Sequence, residues 1–249
     1  MSIRDSETHE SLSADEVHLW YVLSDRVTAP AMLSEFGELM SSDEQAQHVR
    51  FVFERHRHQY LVTRGFVRTL LSSYADVPPA EWRFEKNAYG RPEIEHPKQV
   101  PPLRFNLSHT SGMIVCAVAL DREIGVDVED NAHRSFSLDL ARHYFAKSEV
   151  DHLEAAAEDQ KRRVFFDFWT LKEAYIKARG RGLSIPLEKF AFHLARNDPL
   201  RISIDADLED DAASWQFGQF RPSERHTISL AIRRVDEPEV KVRLRQRTL

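Results

Sequence analysis

Apolar and polar positions in the first half of the chain predict several short strands around one long helix. A strand rich in β-branched and aromatic residues is expected at 17–24. Apolar residues recur at a helical period over 43–73, with Ser41 or Ser42 as the helix cap. The stretch WRFEKNAYGRPEI predicts two strands joined by a turn at 87–90, and LRFNLSHTSGMIVCAVAL predicts two more strands.

The second half of the chain repeats this order of elements. A short strand, EIGVDVED, is followed by two short helices, one that begins at Ser135 or Ser137 and one that has Ser148 as its cap. A long helix is expected over 160–179, because Gly180 is a typical helix terminator. Four strands complete the pattern, at about 188–195, 201–206, 214–220 and 226–234.

This repeated order predicts an α+β fold made of two similar subdomains related by a pseudo-twofold axis. Each subdomain would be a small antiparallel sheet packed on a long helix, and the cleft between them is the expected active site. The predicted division is a flexible N-terminal tail (1–16), an N-terminal α+β subdomain (17–121) and a C-terminal α+β subdomain (122–249). The C-terminal subdomain holds the candidate metal ligands.

Composition narrows the classes of function. Of the 249 residues, 42% are hydrophobic, which is enough for a packed core, and the net charge of −6 argues against a general nucleic-acid-binding protein. The polar N-terminus predicts no signal peptide, and no apolar run is long enough to predict a membrane span. The single cysteine, Cys116, lies in an apolar run and is interpreted as a buried small hydrophobic residue, which fits a reducing, cytoplasmic location.

Two acidic residues alternate with two valines in GVDVED, at 125–130. On a strand, residues two apart point to the same face, so Asp127 and Glu129 project together while Val126 and Val128 pack inward. Two neighbouring carboxylates suit a hard divalent cation such as Mg²⁺. A solvated strand end that runs into an acidic loop is the alternative interpretation.

A charged cluster interrupts the aromatic helix in FFDFWTLKEAYIKARGRGLS, at 165–184. Glu173 and Lys177 are four residues apart and share one side of the helix with Trp169, whereas large apolar residues cover most of the rest. Glu173, Lys177 and the neighbouring Lys172 are therefore expected at a cleft between the subdomains. The alternative is a thin exposed strip, where a Glu–Lys pair contributes little stability.

Two further segments have the chemistry of an anion-binding site. In FNLSHTSG, Ser108 and His109 are adjacent and point apart, so they are interpreted as donors to an anion rather than as a nucleophile and its base. The segment 48–68 concentrates cationic side chains in an acidic protein, which suits phosphate. Its basic residues are His48, Arg50, Arg55, His56, Arg57, His58, Arg64 and Arg68. The alternative interpretation of FNLSHTSG is an ordinary turn, and that of segment 48–68 is a solvated helix face.

Three motifs, in this order, resemble those of the Sfp-type 4′-phosphopantetheinyl transferases. They are NLSH (106–109), GVDVE (125–129) and the W-x-x-K-E-A-x-x-K pattern of WTLKEAYIK (169–177). The resemblance covers roughly residues 17–235. It implies that coenzyme A binds between two pseudo-twofold halves, and that Asp127, Glu129 and Glu173 hold Mg²⁺, with Mn²⁺ as an alternative ion.

The same resemblance implies several contacts with coenzyme A. Ser108, His109 and Arg55 would contact its 3′-phosphate and adenosine end, and Arg91 and Lys177 would lie near its phosphates. Further candidates from the basic segment are Arg50, Arg57 and Arg64.

The resemblance and the chemistry of the reaction together indicate two catalytic residues. Glu173 is the expected base for a serine proton, either directly or through a metal-bound water, and Lys177 would meet the charge that develops on the bridging oxygen. Lys172 would either contact the phosphates as well or support the fold.

The implied reaction is the Mg²⁺-dependent transfer of 4′-phosphopantetheine from coenzyme A to a serine hydroxyl of an apo carrier protein, with release of adenosine 3′,5′-bisphosphate. The carrier could be an acyl, peptidyl or aryl carrier protein. The enzyme is expected to be a monomer. Segment 133–147 is interpreted either as a carrier-docking surface or as a core helix. The alternative functions are a non-catalytic protein that binds coenzyme A or a carrier, and a Mg²⁺-dependent phosphohydrolase.

Overall fold

The strands follow the predicted order in the first half of the chain. The computed structural model describes residues 9–97, 102–132, 135–194, 199–236 and 239–249. The first elements are β1 (Glu16–Val22), α1 (Pro30–Leu39), α2 (Ser42–Val49), α3 (Glu54–Ser72), β2 (Arg83–Lys86), β3 (Pro92–His96), β4 (Leu103–Thr110) and β5 (Met113–Leu120). Ser41 caps α2 as predicted, because its hydroxyl accepts from the Glu44 N–H while the Glu44 carboxylate accepts from the Ser41 N–H.

The second half repeats the arrangement with a longer helix. Its elements are β6 (Ile124–Asp130), α4 (Leu138–Tyr144), α5 (Lys147–Ala155), α6 (Glu158–Arg179), β7 (Phe190–His193), β8 (Arg201–Ile204), β9 (Trp215–Phe220), β10 (His226–Arg233) and β11 (Lys241–Gln246). Gly180 ends α6 in the left-handed conformation that favours glycine, with a φ of 64°. Among the described residues, none of the helices combines the length and the apolar character that a membrane crossing requires.

The main sheets of the two halves have matching strand orders, β1-β5-β4 and β6-β10-β9, and all of these neighbours are antiparallel. In each half, the first strand precedes a long helix (α3 or α6), a two-stranded hairpin (β2–β3 or β7–β8) and the remaining two strands of the sheet. This order confirms the predicted α+β fold with two similar halves. Cys116, in β5 inside the first sheet, is fully buried, as predicted.

Alternate faces of the strands pack on different partners. Val17 and Leu19 of β1 join Val126 and Val128 of β6 in a core between the two sheets. Trp20 of β1 faces the opposite way, into a core shared with α3. Another core packs α6 against the outer face of the second sheet. The resulting layers are α3, the first sheet, the second sheet and α6, so that each long helix is buried along one sheet.

The helical parts of the first half differ from prediction in two respects. The expected continuous helix over 43–73 is interrupted, because the β-branched and aromatic residues at 51–53 favour extended backbone, and α3 starts afresh after Phe53. Helix α1 was not predicted, although Pro30 at its first turn is a typical start signal. Helix α1 packs on α3 at Gly65, where a Cβ atom would lie 2.1 Å from the Phe36 ring.

Helix α5 begins earlier than expected. Ser148 lies inside the helix, and the residue that precedes the first turn is Ala146, whose N–H donates to the Glu149 carboxylate. The carboxylate thus satisfies an N-terminal donor that the serine was expected to satisfy.

The last strand, β11, belongs by sequence to the predicted C-terminal subdomain (122–249) but pairs with the first half of the chain. β11 pairs in parallel with β1, so the first sheet has the order β11-β1-β5-β4 and is not wholly antiparallel. Just before β11, Val240 exchanges two hydrogen bonds of 2.7 Å with the side-chain amide of Gln216 on β9. β11 therefore connects the edge of the first sheet to the edge of the second.

The predicted flexible tail (1–16) is anchored where the structure describes it, and residues 1–8 lie outside the described residues. The Glu10 N–H donates to the Ser73 carbonyl oxygen at 2.7 Å, and the Glu10 carboxylate forms an ion pair with Arg245. These contacts tie the segment before β1 to both α3 and β11.

Candidate active site

Close packing of β6 on α6 brings the predicted acidic and basic residues together. A Cβ atom at Gly125 would lie 2.1 Å from the Ala174 carbonyl oxygen and 2.3 Å from the Ala178 nitrogen, so glycine is required for this approach. This contact explains the glycine that opens the GVDVE motif. It also places Asp127, two residues further along β6, beside Lys177 of α6.

Asp127 is held by donors from both halves of the molecule. Its Oδ1 accepts from the Ser108 hydroxyl at 2.8 Å and from the Lys177 ammonium at 2.7 Å. The same ammonium donates to Ser108 Oγ at 2.9 Å. The other oxygen, Asp127 Oδ2, is buried without a hydrogen-bond partner. A buried carboxylate oxygen of this kind is costly, so a cation beside it would stabilise the site.

Side chains rather than backbone groups join β4 to β6, which are edge strands of different sheets. The N–H groups of Val126, Val128 and Asp130 donate to Asn106 Oδ1 (2.8 Å), Ser108 Oγ (3.4 Å) and Thr110 Oγ1 (3.2 Å), respectively. We call Asn106, Ser108 and Thr110 the polar ladder. Sequence reasoning missed this role and did not single out Thr110, although the alternation N-x-S-x-T was visible at 106–110. Gln59 of α3 was also missed, and it donates to the Thr110 carbonyl oxygen.

A cleft of about 310 Å³ opens beside the polar ladder, between the two halves. Its lining consists of Leu107, Ser108, His109, Asp127, Val128, Glu129, Trp169, Glu173 and Lys177. The last three form a half-buried stripe, at four-residue spacing, along an otherwise largely buried helix. Glu173 and Lys177 therefore face the cleft between the halves, where the sequence had left an exposed strip as the alternative.

The acidic residues of the predicted metal site, Asp127, Glu129 and Glu173, line this one cleft. Within the described ranges, however, no three His, Cys, Asp or Glu side chains are already gathered into a metal-binding cluster. The Lys177 ammonium instead lies against one oxygen of Asp127. The carboxylate donors and the buried Asp127 Oδ2 nevertheless fit Mg²⁺ or Mn²⁺, which are hard cations that prefer oxygen ligands.

His109 lies at the mouth of the cleft, where β4 ends. The residue as a whole is exposed, and desolvation by its neighbours lowers the pKa of His109. The positive charges of Lys177 and Arg64 lower the same pKa further. The lowered pKa favours the neutral imidazole, and Lys177 and Arg64 place positive charge on this side of the cleft.

The basic segment 48–68 divides into paired and exposed cations. Arg68 is buried, with a nitrogen 2.6 Å from a Glu44 oxygen, and Arg64 reaches the same carboxylate at 3.5 Å. Arg55 is exposed at the start of α3 and is absent from the cleft lining given above. Arg64 is the arginine of this group whose charge lowers the pKa of His109, and this effect places it near the cleft.

Lys172 does not face the cleft. It is fully buried in the second half, with its ammonium 2.7 Å from Glu149 Oε2 and hydrogen-bonded to the carbonyl oxygens of Leu187 and Phe190. Adjacent helical residues point about 100° apart, so Lys172 faces the core when Glu173 faces the cleft. The predicted contact between Lys172 and coenzyme A is incompatible with this position, and the side chain supports the fold instead.

Arg91 also lies away from the cleft, at the C-terminal end of α6. There it lines a second, polar cleft of about 380 Å³. Its guanidinium donates to backbone carbonyl groups of α6 and β6. The expected contact with the phosphates of coenzyme A stays a prediction.

Segment 133–147, predicted as a docking surface or a core helix, is described from residue 135. Phe136 packs on Phe165, with ring centroids 5.3 Å apart, whereas Tyr144 is exposed. Arg142 forms ion pairs with Asp139 and Glu154. The segment therefore contributes to the core through one face and keeps a polar outer face.

Comparisons with known proteins find relatives over most of the chain. Residues 123–231 match the family model of the 4′-phosphopantetheinyl transferase superfamily, and residues 29–121 match the model "4′-phosphopantetheinyl transferase, N-terminal". The 4′-phosphopantetheinyl transferase HetI of Nostoc sp. is 32% identical over 222 residues, which cover 89% of this chain and 90% of that protein. The 4′-phosphopantetheinyl transferase Sfp of Bacillus subtilis is 28% identical over 186 residues, which cover 75% of this chain and 80% of that protein.

A solved structure also matches part of the chain. Holo-[acyl-carrier-protein] synthase (AcpS) of Thermotoga maritima is 19% identical, with a TM-score of 0.37, over 45% of this chain and 62% of that chain. The family relationship rests on the sequence relatives.

Proposed function

Because this chain belongs to the 4′-phosphopantetheinyl transferase family, we propose that it transfers 4′-phosphopantetheine from coenzyme A to a serine hydroxyl of an apo carrier protein. The serine oxygen would form a bond to the phosphorus that bears the pantetheine arm. The bond from that phosphorus to the bridging oxygen would break, and adenosine 3′,5′-bisphosphate would leave. The serine proton passes to a base. The carrier would be an acyl, peptidyl or aryl carrier, of the kind used in fatty-acid, polyketide or non-ribosomal-peptide synthesis.

The observation that supports this proposal is that three carboxylate side chains and a lysine line one cleft between the halves. Asp127, Glu129 and Glu173 line the cleft together with Lys177. Transfer of a phosphoryl-linked group needs neutralisation of the pyrophosphate charge and a base for the hydroxyl proton. Both kinds of group are present within this cleft.

We assign the proposed metal ion to the three acidic residues. Asp127 and Glu129 project from β6, and Glu173 faces them from α6, so carboxylates from two elements could hold Mg²⁺ or Mn²⁺. When bound, the ion would neutralise charge on the pyrophosphate of coenzyme A. Lys177 already orients Asp127 through Oδ1, which leaves Oδ2 for such a ligand.

Glu173 and Lys177 have complementary proposed roles. A carboxylate such as Glu173 can accept the serine proton, either directly or through a water molecule. An ammonium such as Lys177 can donate a hydrogen bond to the leaving oxygen as charge develops there. The two residues are one helical turn apart, so both can reach a single reacting group.

Coenzyme A is proposed to bind along β4 and the start of α3. Ser108 and neutral His109 would donate hydrogen bonds to its phosphates, and Arg64 would add positive charge nearby. Arg55 is retained as a contact to the 3′-phosphate because its guanidinium is exposed on the same helix as Arg64. A monomer suffices for this arrangement, since one chain supplies all of these groups.

The test is intact-mass analysis of purified apo carriers incubated with this protein, coenzyme A and Mg²⁺. A carrier that gains the mass of phosphopantetheine supports the proposed transfer. Addition of a chelator should stop the modification, and excess Mg²⁺ should restore it. Modification at an unchanged rate in chelator would remove the metal from the proposal.

The Glu173→Gln substitution tests the proposed base. We expect kcat to fall by about 10²–10⁴-fold while the protein stays folded. Glu158→Gln is the matched control, since Glu158 lies at the start of the same helix with an exposed side chain. Cleavage of coenzyme A in the absence of any carrier would indicate a phosphohydrolase instead.

A further inference from the structure

Arg91 connects the β2–β3 hairpin to the two elements that carry the cleft acids. Its Nη1 donates to the carbonyl oxygens of Lys177 at 3.1 Å and Ala178 at 3.0 Å, in the last turn of α6. Its Nη2 donates to the carbonyl oxygen of Ile124, the first residue of β6, at 3.3 Å. A single side chain therefore holds the end of α6 and the start of β6.

Asn87 shapes the turn from which Arg91 projects. Its Oδ1 accepts from the backbone N–H groups of Tyr89 at 2.9 Å and Arg91 at 3.0 Å, and its Nδ2 donates to the Gly180 carbonyl oxygen at 3.1 Å. The last carbonyl groups of a helix have no partners within the helix, so these donors complete its C-terminus. The positive guanidinium is also favoured there by the helix dipole.

Arginine suits this position for a geometric reason. Its guanidinium carries five N–H donors in one plane and can reach carbonyl groups on two elements at once. A lysine ammonium is a single point charge on a flexible chain, so it would preserve the charge without bridging the two elements. A phosphate contact, in contrast, can be made by either cation.

We propose that Asn87 and Arg91 form a clamp that sets the position of Lys177 relative to Asp127. Arg91 holds the backbone of Lys177 at its carbonyl oxygen, while the ammonium of the same residue reaches Asp127 and Ser108. Arg91 also holds β6 three residues before Asp127. This inference rests on the proposed function, in which Lys177 acts on the leaving oxygen. Asn87 and Arg91 are positioning residues that act through Lys177.

The experiment compares Arg91→Lys, Arg91→Met and Asn87→Ala with a control, Arg104→Met. Arg104 is exposed and lines the same second cleft, so its replacement removes a similar charge without removing the clamp. Misplacement of a reacting group lowers kcat, and we expect the first three variants to lose about tenfold to a hundredfold in kcat with KM for coenzyme A unchanged. Their backbone amides over 174–182 should exchange hydrogen faster, while the control should match the wild type in both measurements.

Two results would overturn the clamp. If Arg91 contacts phosphate, Arg91→Met will raise KM for coenzyme A, Arg91→Lys will restore it, and Asn87→Ala will have no effect. If the contacts only support the fold, thermal stability will fall while kcat per folded molecule stays constant. Should an Arg91 variant fail to fold, Asn87→Ala still decides, because it removes the Asn87 hydrogen bonds to Gly180 and to the turn but no charge.

Failure of the proposed function would be recognised separately. A wild-type protein that modifies no apo carrier would reject that function whatever the variants do. Hydrogen exchange would then decide on the clamp alone: faster exchange over 174–182 in the three variants supports it, and wild-type exchange rejects it.

Discussion

The two halves of the molecule share one strand order, but the two edges at which they meet are built differently. At the first edge, β4 lies beside β6, and the polar ladder joins them through side chains. At the corresponding second edge, β9 would face β1, but β11 occupies the space between them. It pairs with β1 through its backbone and is linked to β9 through Gln216.

This difference accounts for the position of the cleft. Backbone pairing closes the second edge, and the β1 acid there, Glu16, is already paired with Arg243 of β11. At the first edge, side chains satisfy the N–H groups of β6 while leaving space next to Asp127 and Glu129. A repeated fold offers two equivalent edges, and the strand added to one of them leaves the other for chemistry.

The largest expected effect comes from removing the acid at the open edge. Asp127→Asn keeps the side-chain shape but removes the charge that faces Lys177, and we expect transfer activity to fall by roughly a thousandfold with the fold retained. The control is Glu16→Gln in β1, the counterpart strand, which should keep full activity. Carrier modification rates and circular dichroism spectra measure both variants. Equal losses in the two variants would show that the edges do not differ in function.

Deletion of β11 tests the closed edge. A chain that ends at Glu239 would lose the buried Val240 and leave one edge of β1 unpaired, while the other edge stays paired with β5. We expect the free energy of unfolding to fall by more than about 5 kcal/mol, and the exposed edge should promote association between chains. Denaturant titration and size-exclusion chromatography provide the measurements.

A control for this deletion keeps the backbone pairing intact. Lys241→Gln removes only the exposed ion pair between β11 and Asp15, so its unfolding midpoint should stay near that of the wild type. If the truncated chain were as stable as the wild type, β11 would not be what closes the second edge.

Replacement of Lys172 tests whether every charge on α6 serves the cleft. Lys172→Met would leave the fully buried Glu149 carboxylate without its cation, and we expect a loss of about 3–5 kcal/mol in the free energy of unfolding. KM for coenzyme A should not change. The double variant Lys172→Met/Glu149→Gln should recover part of the stability. A raised KM in a fully stable Lys172→Met protein would return this residue to the binding site.

Lys172 also illustrates what the sequence could predict. Periodicity located α6 and its end at Gly180, because local backbone preferences determine a long helix and its terminator. The same periodicity separated Glu173 and Lys177 from the apolar face. It could not assign Lys172, because the partner that decides its environment, Glu149, comes from another helix.

Contacts between distant segments explain the other differences. The alternation in β6 predicted that Asp127 and Glu129 would project together, and both line the cleft. The pairing of β11 with β1 joins segments more than 200 residues apart, for example Glu16 with Lys241, and no local pattern specifies such a partner. The expected phosphate contact of Arg91 likewise came from the family resemblance, whereas its three carbonyl partners depend on how the hairpin docks on α6.

The smallest expected effect separates the two edges most directly. Asn106→Leu would leave the buried N–H of Val126 without an acceptor at the open edge, and Gln216→Leu would remove the two hydrogen bonds to Val240 at the closed edge. Each change should lower the free energy of unfolding by about 1–3 kcal/mol. Only Asn106→Leu should also slow carrier modification, because Val126 adjoins Asp127. If Gln216→Leu slowed the reaction as much, both edges would control the cleft, and the open edge would have no special link to catalysis.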